Sequence, residues 1–344
     1  MTKLVLLGAG ASADAGLPVN NRLMKCVEQF LSDFQCADGM IPPMRTFREL
    51  KDELEKQRQT TVFPEVGIED IATAAQVKHE LENGSLFSPD QGLGLVPFEP
   101  GSYGPKTTPY LNVHQTIKMF VYLHIRKLSS LAVNNSYLSA MIRESLDKNI
   151  PIFSLNFDYV IEKCCERMGV PVCVGVQEGH SPDDIQWMDG AVKLCKLHGS
   201  VDWDIQAISE EHPHSIKFTR KGLPGNLGNH SWTSIFGITH KHSYFPPFKQ
   251  LYRCFDEALD EAKAVYVIGY SFRDPHINQS LYWWCRKSPE NRILVANGPD
   301  FSADRNVPNI TFGNVTSRTL RKHVEVFPML ASEAISHWFG EYRG

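Results

Sequence analysis

One stretch near the start of the chain constrains the fold more than any other. Leu4 to Leu7 are four consecutive apolar residues, the pattern of a strand buried on both faces. They run directly into Gly8, Ala9, Gly10, Ala11, Ser12, Ala13, Asp14, Ala15, Gly16, Leu17 and Pro18. Glycines there let the backbone turn sharply and approach a ligand where a side chain would collide. The pattern predicts a helix starting near Ser12, its amides and positive dipole end facing a phosphate. An ordinary glycine-rich turn is the alternative. The dinucleotide fingerprint G-x-G-x-x-G is met at Gly8 and Gly10, but its third position is Ala13. A long polar and helical region then takes the place of the expected acidic strand end, so an ordinary dehydrogenase site does not fit.

A chain of 344 residues can build a large core with a substantial elaboration. Its 42% apolar and 22% charged residues are those of a soluble globular protein, and a net charge of -4 gives no support for nucleic-acid binding. The 8 cysteines include no C-x-x-C pair, which argues against a compact structural zinc site. With no export signal and no apolar run of about 20 residues, the expectation is a cytoplasmic protein with free thiols and no membrane segment.

Beyond Pro18, apolar spacing predicts helices from Asn20 or Asn21 to about Leu31, over 47–58, from Ile68 to about Leu81, from Leu111 to Ser130 and from Tyr137 to Leu146. Residues 38–46 read as a loop and 83–109 as a long flap rich in Gly, Pro and Ser. Glu69 and Asp70 sit where acidic groups complement a helix dipole. Residues 20–148 thus read as a helical insertion, between 1–19 and 149–344 as a discontinuous core. Strands are predicted at Ile150–Leu155, Val170–Val176, Val192–Leu197, Ala264–Ile268, Arg292–Ala296 and Val324–Phe327, alternating with helices. Residues 202–247 have no stable period and read as an irregular subregion. The fold class is α/β, a Rossmann-like open parallel sheet carrying a large helical insertion.

Polar or glycine-rich segments follow the predicted strands at 8–16, 156–158, 198–200, 269–272 and 296–298. In an open parallel sheet such carboxyl-end loops converge on one crevice. GAGASADAGLP at 8–18, LNFD at 155–158, LHGS at 197–200, IGYS at 268–271 and AN at 296–297 form an ordered set that resembles the sirtuin-like (SIR2-like) NAD-binding family. The protein-deacylase branch carries an acidic residue, Phe and Arg after its glycine loop, where this chain has Val19, Asn20 and Asn21, and it carries paired C-x-x-C motifs. The segment IEDI at 68–71 and the helical insertion look like the bacterial antiphage-defence branch.

That resemblance implies an NAD glycohydrolase, converting NAD and water to ADP-ribose and nicotinamide, with NAD as substrate and no metal. It implies Asn156 orienting water or ribose, Asp158 contacting the nicotinamide carboxamide, and His198 bonding ribose hydroxyls or taking a proton from water. Gly8, Ala9, Gly10, Ala11, Ser12 and Gly16 would surround the pyrophosphate, Gly269 and Ser271 phosphate or ribose, and Asn297 an adenosine hydroxyl. On residue type alone, Asn156 reads equally as a turn former, Asp158 as a helix cap and His198 as a satisfied buried histidine. The resemblance also implies a homo-oligomer and a separately encoded sensor or ATPase partner. The alternatives are an NAD-dependent protein deacylase and a non-catalytic NAD or ADP-ribose sensor.

Overall fold

The computed structural model describes residues 2–33, 42–58, 65–82, 108–132, 134–176, 185–207, 216–220, 232–234, 247–299 and 322–340. The 83–109 flap falls outside them apart from its last two residues.

Seven strands form one parallel sheet: β1 (Lys3–Leu7), β2 (Ile152–Ser154), β3 (Val172–Cys173), β4 (Val192–Lys196), β8 (Ala264–Ile268), β9 (Arg292–Ala296) and β10 (Val324–Phe327). Their spatial order is β10-β9-β8-β1-β2-β4-β3. Leu4, Val5 and Leu6 are fully buried at its centre. Each such side chain contributes about 1.5–3 kcal/mol relative to exposure, an upper figure because unfolded chains already bury part of it.

From β1 the chain builds outward on one side through β2, β4 and β3, then crosses back to β8 on the other. The neighbours β1 and β8 therefore flank the switch point, outside whose carboxyl ends an open α/β sheet leaves a crevice. Register completes the convergence. Leu7 pairs with both Ser154 and Ile268, Ser154 with Lys196, and Ile268 with Ala296. Five strands thus end in one row, so the segments that follow them emerge at one level.

Among the described residues five α-helices lie between β1 and β2: α1 (Asn20–Asp33), α2 (Pro43–Arg58), α3 (Ile68–Glu82), α4 (Pro109–Leu131) and α5 (Ser139–Asp147). On α4, Val113, Ile117, Val121 and Ile125 recur every fourth residue and are all buried. The helix opens on Pro109, with the Thr108 hydroxyl accepting from the Leu111 amide at 3.3 Å. Beyond β2 lie α6 (Val160–Met168), α7 (Phe248–Glu261), α8 (Pro275–Lys287) and α9 (Ala331–Phe339).

The structure departs from the sequence expectations in three places. The helix near Ser12 is a single 3-10 turn, Ala9–Ser12. Gly16, at φ +93°, and Pro18 intervene before α1 opens at Asn20. The start of the 38–46 loop is not described, but its end is helical because Pro43 opens α2. In 202–247, where the sequence assigns no regular element, the described residues other than Pro247 belong to β5 (Gly199–Ala207), β6 (Ile216–Arg220) and β7 (Trp232–Ser234). These pair antiparallel in the order β6-β5-β7. No helix among the described residues is long and apolar enough to cross a membrane.

Candidate functional site

A cavity of about 330 Å³ opens at the carboxyl ends of β1, β2, β4, β8 and β9. Its size lies within the range of small-molecule sites. The core lines it with Gly8, Ala9, Gly10, Ser12, Asn156, Asp158, His198, Gly269, Ser271 and Asn297. Residues as far apart as Gly8 and Asn297 thus contribute through a single row of strand ends. Ala11 and Gly16 do not reach the cavity: Ala11 is buried beneath it, and Gly16 forms an exposed left-handed turn.

The β1 and β8 loops are locked backbone to backbone. The Gly8 amide donates to Ile268 O and the Gly10 amide to Gly269 O, both at 2.9 Å. Gly269 adopts φ +68°, and a Cβ there would stand 2.1 Å from the Ala11 nitrogen. Only glycine allows this approach. The Ala11 amide donates to Gly8 O, so among the four amides from Gly8 to Ala11 only Ala9's makes no backbone hydrogen bond among the described residues. The loop offers a ligand close backbone access more than a row of donors.

Asn156 joins this loop to the β2 end. Its Nδ2 donates to Gly8 O at 2.9 Å and to Ser12 Oγ at 3.1 Å. Both amide protons are thereby used, leaving the Oδ1 acceptor to hold a hydroxyl or a water. Ser12, accepting from Asn156, keeps its own proton to donate, as a phosphate oxygen would require. On the β9 side, Asn297 Nδ2 donates to Tyr270 O at 3.1 Å.

Asp158 both lines the cavity and accepts from the Val160 amide at 3.0 Å in the first turn of α6. Its loop is fixed from below by Lys196, which is almost wholly buried at the end of β4. The Lys196 ammonium donates to the Asp158 carbonyl, to Ser200 Oγ at 2.8 Å and to Glu162 Oε1 at 2.9 Å. Burial raises the Glu162 carboxyl above the ordinary range, with the Lys196 charge pulling the other way.

His198 is 3% exposed, and its Nε2 lies 2.9 Å from Asp274 Oδ2. Asp274 opens α8 and its Oδ1 accepts from the amides of His276 at 2.9 Å and Ile277 at 3.4 Å. Tyr270 and Asn278 hold the intervening loop: Tyr270 OH bonds Asn278 Oδ1 at 2.9 Å, and Asn278 Nδ2 donates to Phe272 O at 2.7 Å. Phe272 sits at φ +58°, a strained conformation for a bulky residue. Burial pushes the Tyr270 hydroxyl well above its usual range, so it remains a neutral hydrogen-bonding group.

The insertion supplies the remaining wall. Leu23 of α1, Ile68, Glu69 and Asp70 of α3, and Val121 and Ile125 of α4 line the cavity with Leu17, Pro18 and Val19. Asp70 is held by the Arg58 guanidinium, at 2.6 and 2.9 Å, and accepts from the Gly67 amide at 2.7 Å. Arg273, on the β8 loop, lies 3.7 Å from Glu65 just before α3. Tyr137 OH donates to Ala11 O at 2.5 Å, bracing the glycine loop from the end of the insertion.

Sequence reasoning missed Asp274, Arg273 and Lys196. Asp274 precedes Pro275, so an ordinary helix cap accounts for it, and its pairing with a histidine 76 positions away leaves no local pattern. Lys196 reads as an outward residue at a strand end.

A family model described as the SIR2-like domain matches residues 151–310. That stretch holds Asn156, Asp158, His198, Gly269, Ser271 and Asn297, and the parallel sheet with its flanking helices is Rossmann-like. Similar solved structures include a Sir2 homologue in complex with NAD, 12% identical, covering 98% of this chain and 87% of that one with a TM-score of 0.48. A mutant Sir2 homologue in complex with ADP ribose is 12% identical, covering 98% and 89%, with a TM-score of 0.46. Sir2Tm bound to a propionylated peptide is 11% identical, covering 98% and 91%, with a TM-score of 0.41. At this level of identity and superposition, function rests on the chain's own residues. No curated protein matches the chain.

Proposed function

We propose that this chain is an NAD-consuming enzyme that breaks the bond between nicotinamide and ribose, with water as the acceptor. The observation that carries the reading is the meeting of Asn156, Asp158 and His198 in one cavity beside the glycine loop. In this reaction the pyridinium nitrogen takes the bonding pair and leaves as neutral nicotinamide. Water adds to the electron-poor ribosyl carbon, and its proton passes to a base, giving ADP-ribose.

Asn156 Oδ1 holds the water or a ribose hydroxyl, because both of its amide protons are committed within the protein. His198 receives the proton or bonds the ribose. Asp158 faces the carboxamide, and the Ser12 hydroxyl donates to the pyrophosphate. Gly269 and Ser271 meet phosphate or ribose, and Asn297 an adenosine hydroxyl. No metal enters this scheme.

The SIR2-like match backs NAD-dependent deacylation better than hydrolysis, although both chemistries begin with the same bond cleavage. Three features favour water: the glycine loop lacks the deacylase continuation at Val19, Asn20 and Asn21; C-x-x-C pairs are absent; and the insertion walls the cavity. The proposal extends to NAD depletion in bacterial antiphage defence, in a homo-oligomer with a separately encoded sensor or ATPase. It rests there on the IEDI segment at 68–71 and the insertion.

Product analysis with and without an acetylated lysine peptide separates the readings. Nicotinamide and ADP-ribose formed at the same rate in both samples support hydrolysis. Formation only with peptide, as O-acetyl-ADP-ribose, establishes the deacylase instead. Bound NAD without turnover identifies a sensor.

A further inference from the structure

We propose that Asp274 is a positioning residue that fixes the tautomer of His198, and with it the direction in which that imidazole can take a proton. The inference rests on the hydrolase reading for its effect on rate, but not for the tautomer itself.

The two oxygens of Asp274 do separate work. Oδ1 caps α8 by accepting from two backbone amides, a task that Asn, Ser or Thr performs about as well. Oδ2 is surplus to capping and faces His198 Nε2 at 2.9 Å. A carboxylate only accepts, so the imidazole nitrogen facing it carries the proton, and Nδ1 holds the lone pair.

The carboxylate is also immobile. Asp274 is 3% exposed, its amide donates to Tyr270 OH at 3.1 Å, and Pro275 fixes the backbone after it. The strained Phe272, two positions earlier, is held by Asn278. Strain of this kind persists only where surrounding structure over-determines it, and it clusters at functional sites. A helix start alone needs none of this apparatus.

Asp274→Asn separates capping from positioning. Its side-chain oxygen still caps α8, which turns its NH2 toward His198. The imidazole must then present a lone pair at Nε2 and carry its proton on Nδ1. In a serine-protease triad the equivalent exchange keeps the geometry and lowers kcat about 10⁴-fold.

The test is ¹⁵N NMR of histidine-labelled protein, with the His198 signals identified by their loss in His198→Gln, alongside NAD turnover and thermal melting. The expected result is Nε2–H in the wild type and Nδ1–H in Asp274→Asn. Melting should be nearly unchanged, kcat should fall about 10²-fold or more, and KM should move less than about threefold. Asp274→Ser, which keeps a cap and offers no carboxylate, should also lose kcat. An unchanged tautomer in Asp274→Asn, or a variant that inverts the tautomer and keeps the wild-type kcat, overturns the proposal. If the wild type leaves NAD intact while the tautomer still inverts, the hydrolase reading fails and the pairing of Asp274 with His198 stands.

Discussion

The two sides of the cavity are built from different materials. On the β1–β8 side, Gly8, Gly10 and Gly269 bring two backbones into direct contact, and the hydrogen bonds run from main chain to main chain. On the β2–β4 side the Val201 amide still donates to Phe157 O at 3.0 Å, but side chains from distant positions place the functional groups: Lys196 beneath Asp158, Asp274 against His198, and Asn156 across to Gly8. A wall made of backbone tolerates no added atom. A wall made of side chains tolerates shape changes but not the loss of a polar partner. The first suits holding a ligand close, the second suits chemistry.

The sharpest way to break this comparison is Gly269→Ala. With φ at +68° and a Cβ 2.1 Å from the Ala11 nitrogen, the loops must separate. A loss of about 5 kcal/mol in urea unfolding is expected, or failure to accumulate folded protein. Tolerance of alanine there would show that the backbone contact is not a constraint.

Lys196→Met should cost about 3–4 kcal/mol, because it leaves Glu162 buried without its partner charge. Combining it with Glu162→Leu should recover most of that loss, since an apolar pair of similar volume avoids the desolvation penalty. Urea midpoints of the two single variants and the double variant measure the coupling.

Asn156→Asp puts a carboxylate against Gly8 O, an acceptor facing an acceptor. It should cost about 2 kcal/mol and weaken NAD binding, read by melting and calorimetry. It is the one substitution that loosens both sides together.

The smallest effect lies away from the cavity, where Glu144 of α5 pairs with Lys3 of β1 at 2.9 Å. Burial raises the Glu144 carboxyl, but Lys3 and Lys148 outweigh it and the net direction is down. A depressed carboxyl contributes stability that is present above its unfolded value, about 4.3, and lost as pH falls through the folded one. Glu144→Gln should therefore flatten the acid limb of stability by less than about 1 kcal/mol, without altering nucleotide binding.

The same contrast explains what was legible in the sequence. Parallel strands are short and largely apolar, so Ala264–Ile268, Arg292–Ala296 and Val324–Phe327 match the observed strands, and the others differ by a few residues at their ends. Once strand ends are known, the crevice loops follow, and with them Gly8, Asn156, His198, Gly269 and Asn297. The helix expected near Ser12 is cut to a single 3-10 turn: the Gly10 amide is drawn to Gly269 O, a contact that depends on β8 being the neighbour of β1, and Gly16 and Pro18 follow. Asp274 was hidden for a similar reason. Its local use as a cap is sufficient, and only the fold reveals a second oxygen turned to His198.

The central claim is that the side-chain wall performs cleavage of NAD. The most direct measurement follows nicotinamide and ADP-ribose over time in purified wild-type and His198→Ala protein supplied with NAD. The account predicts equal amounts of the two products from the wild type and a rate lowered about 10²-fold or more in a variant that remains folded. NAD left intact by the wild type, or a variant that cleaves it as fast, would contradict it.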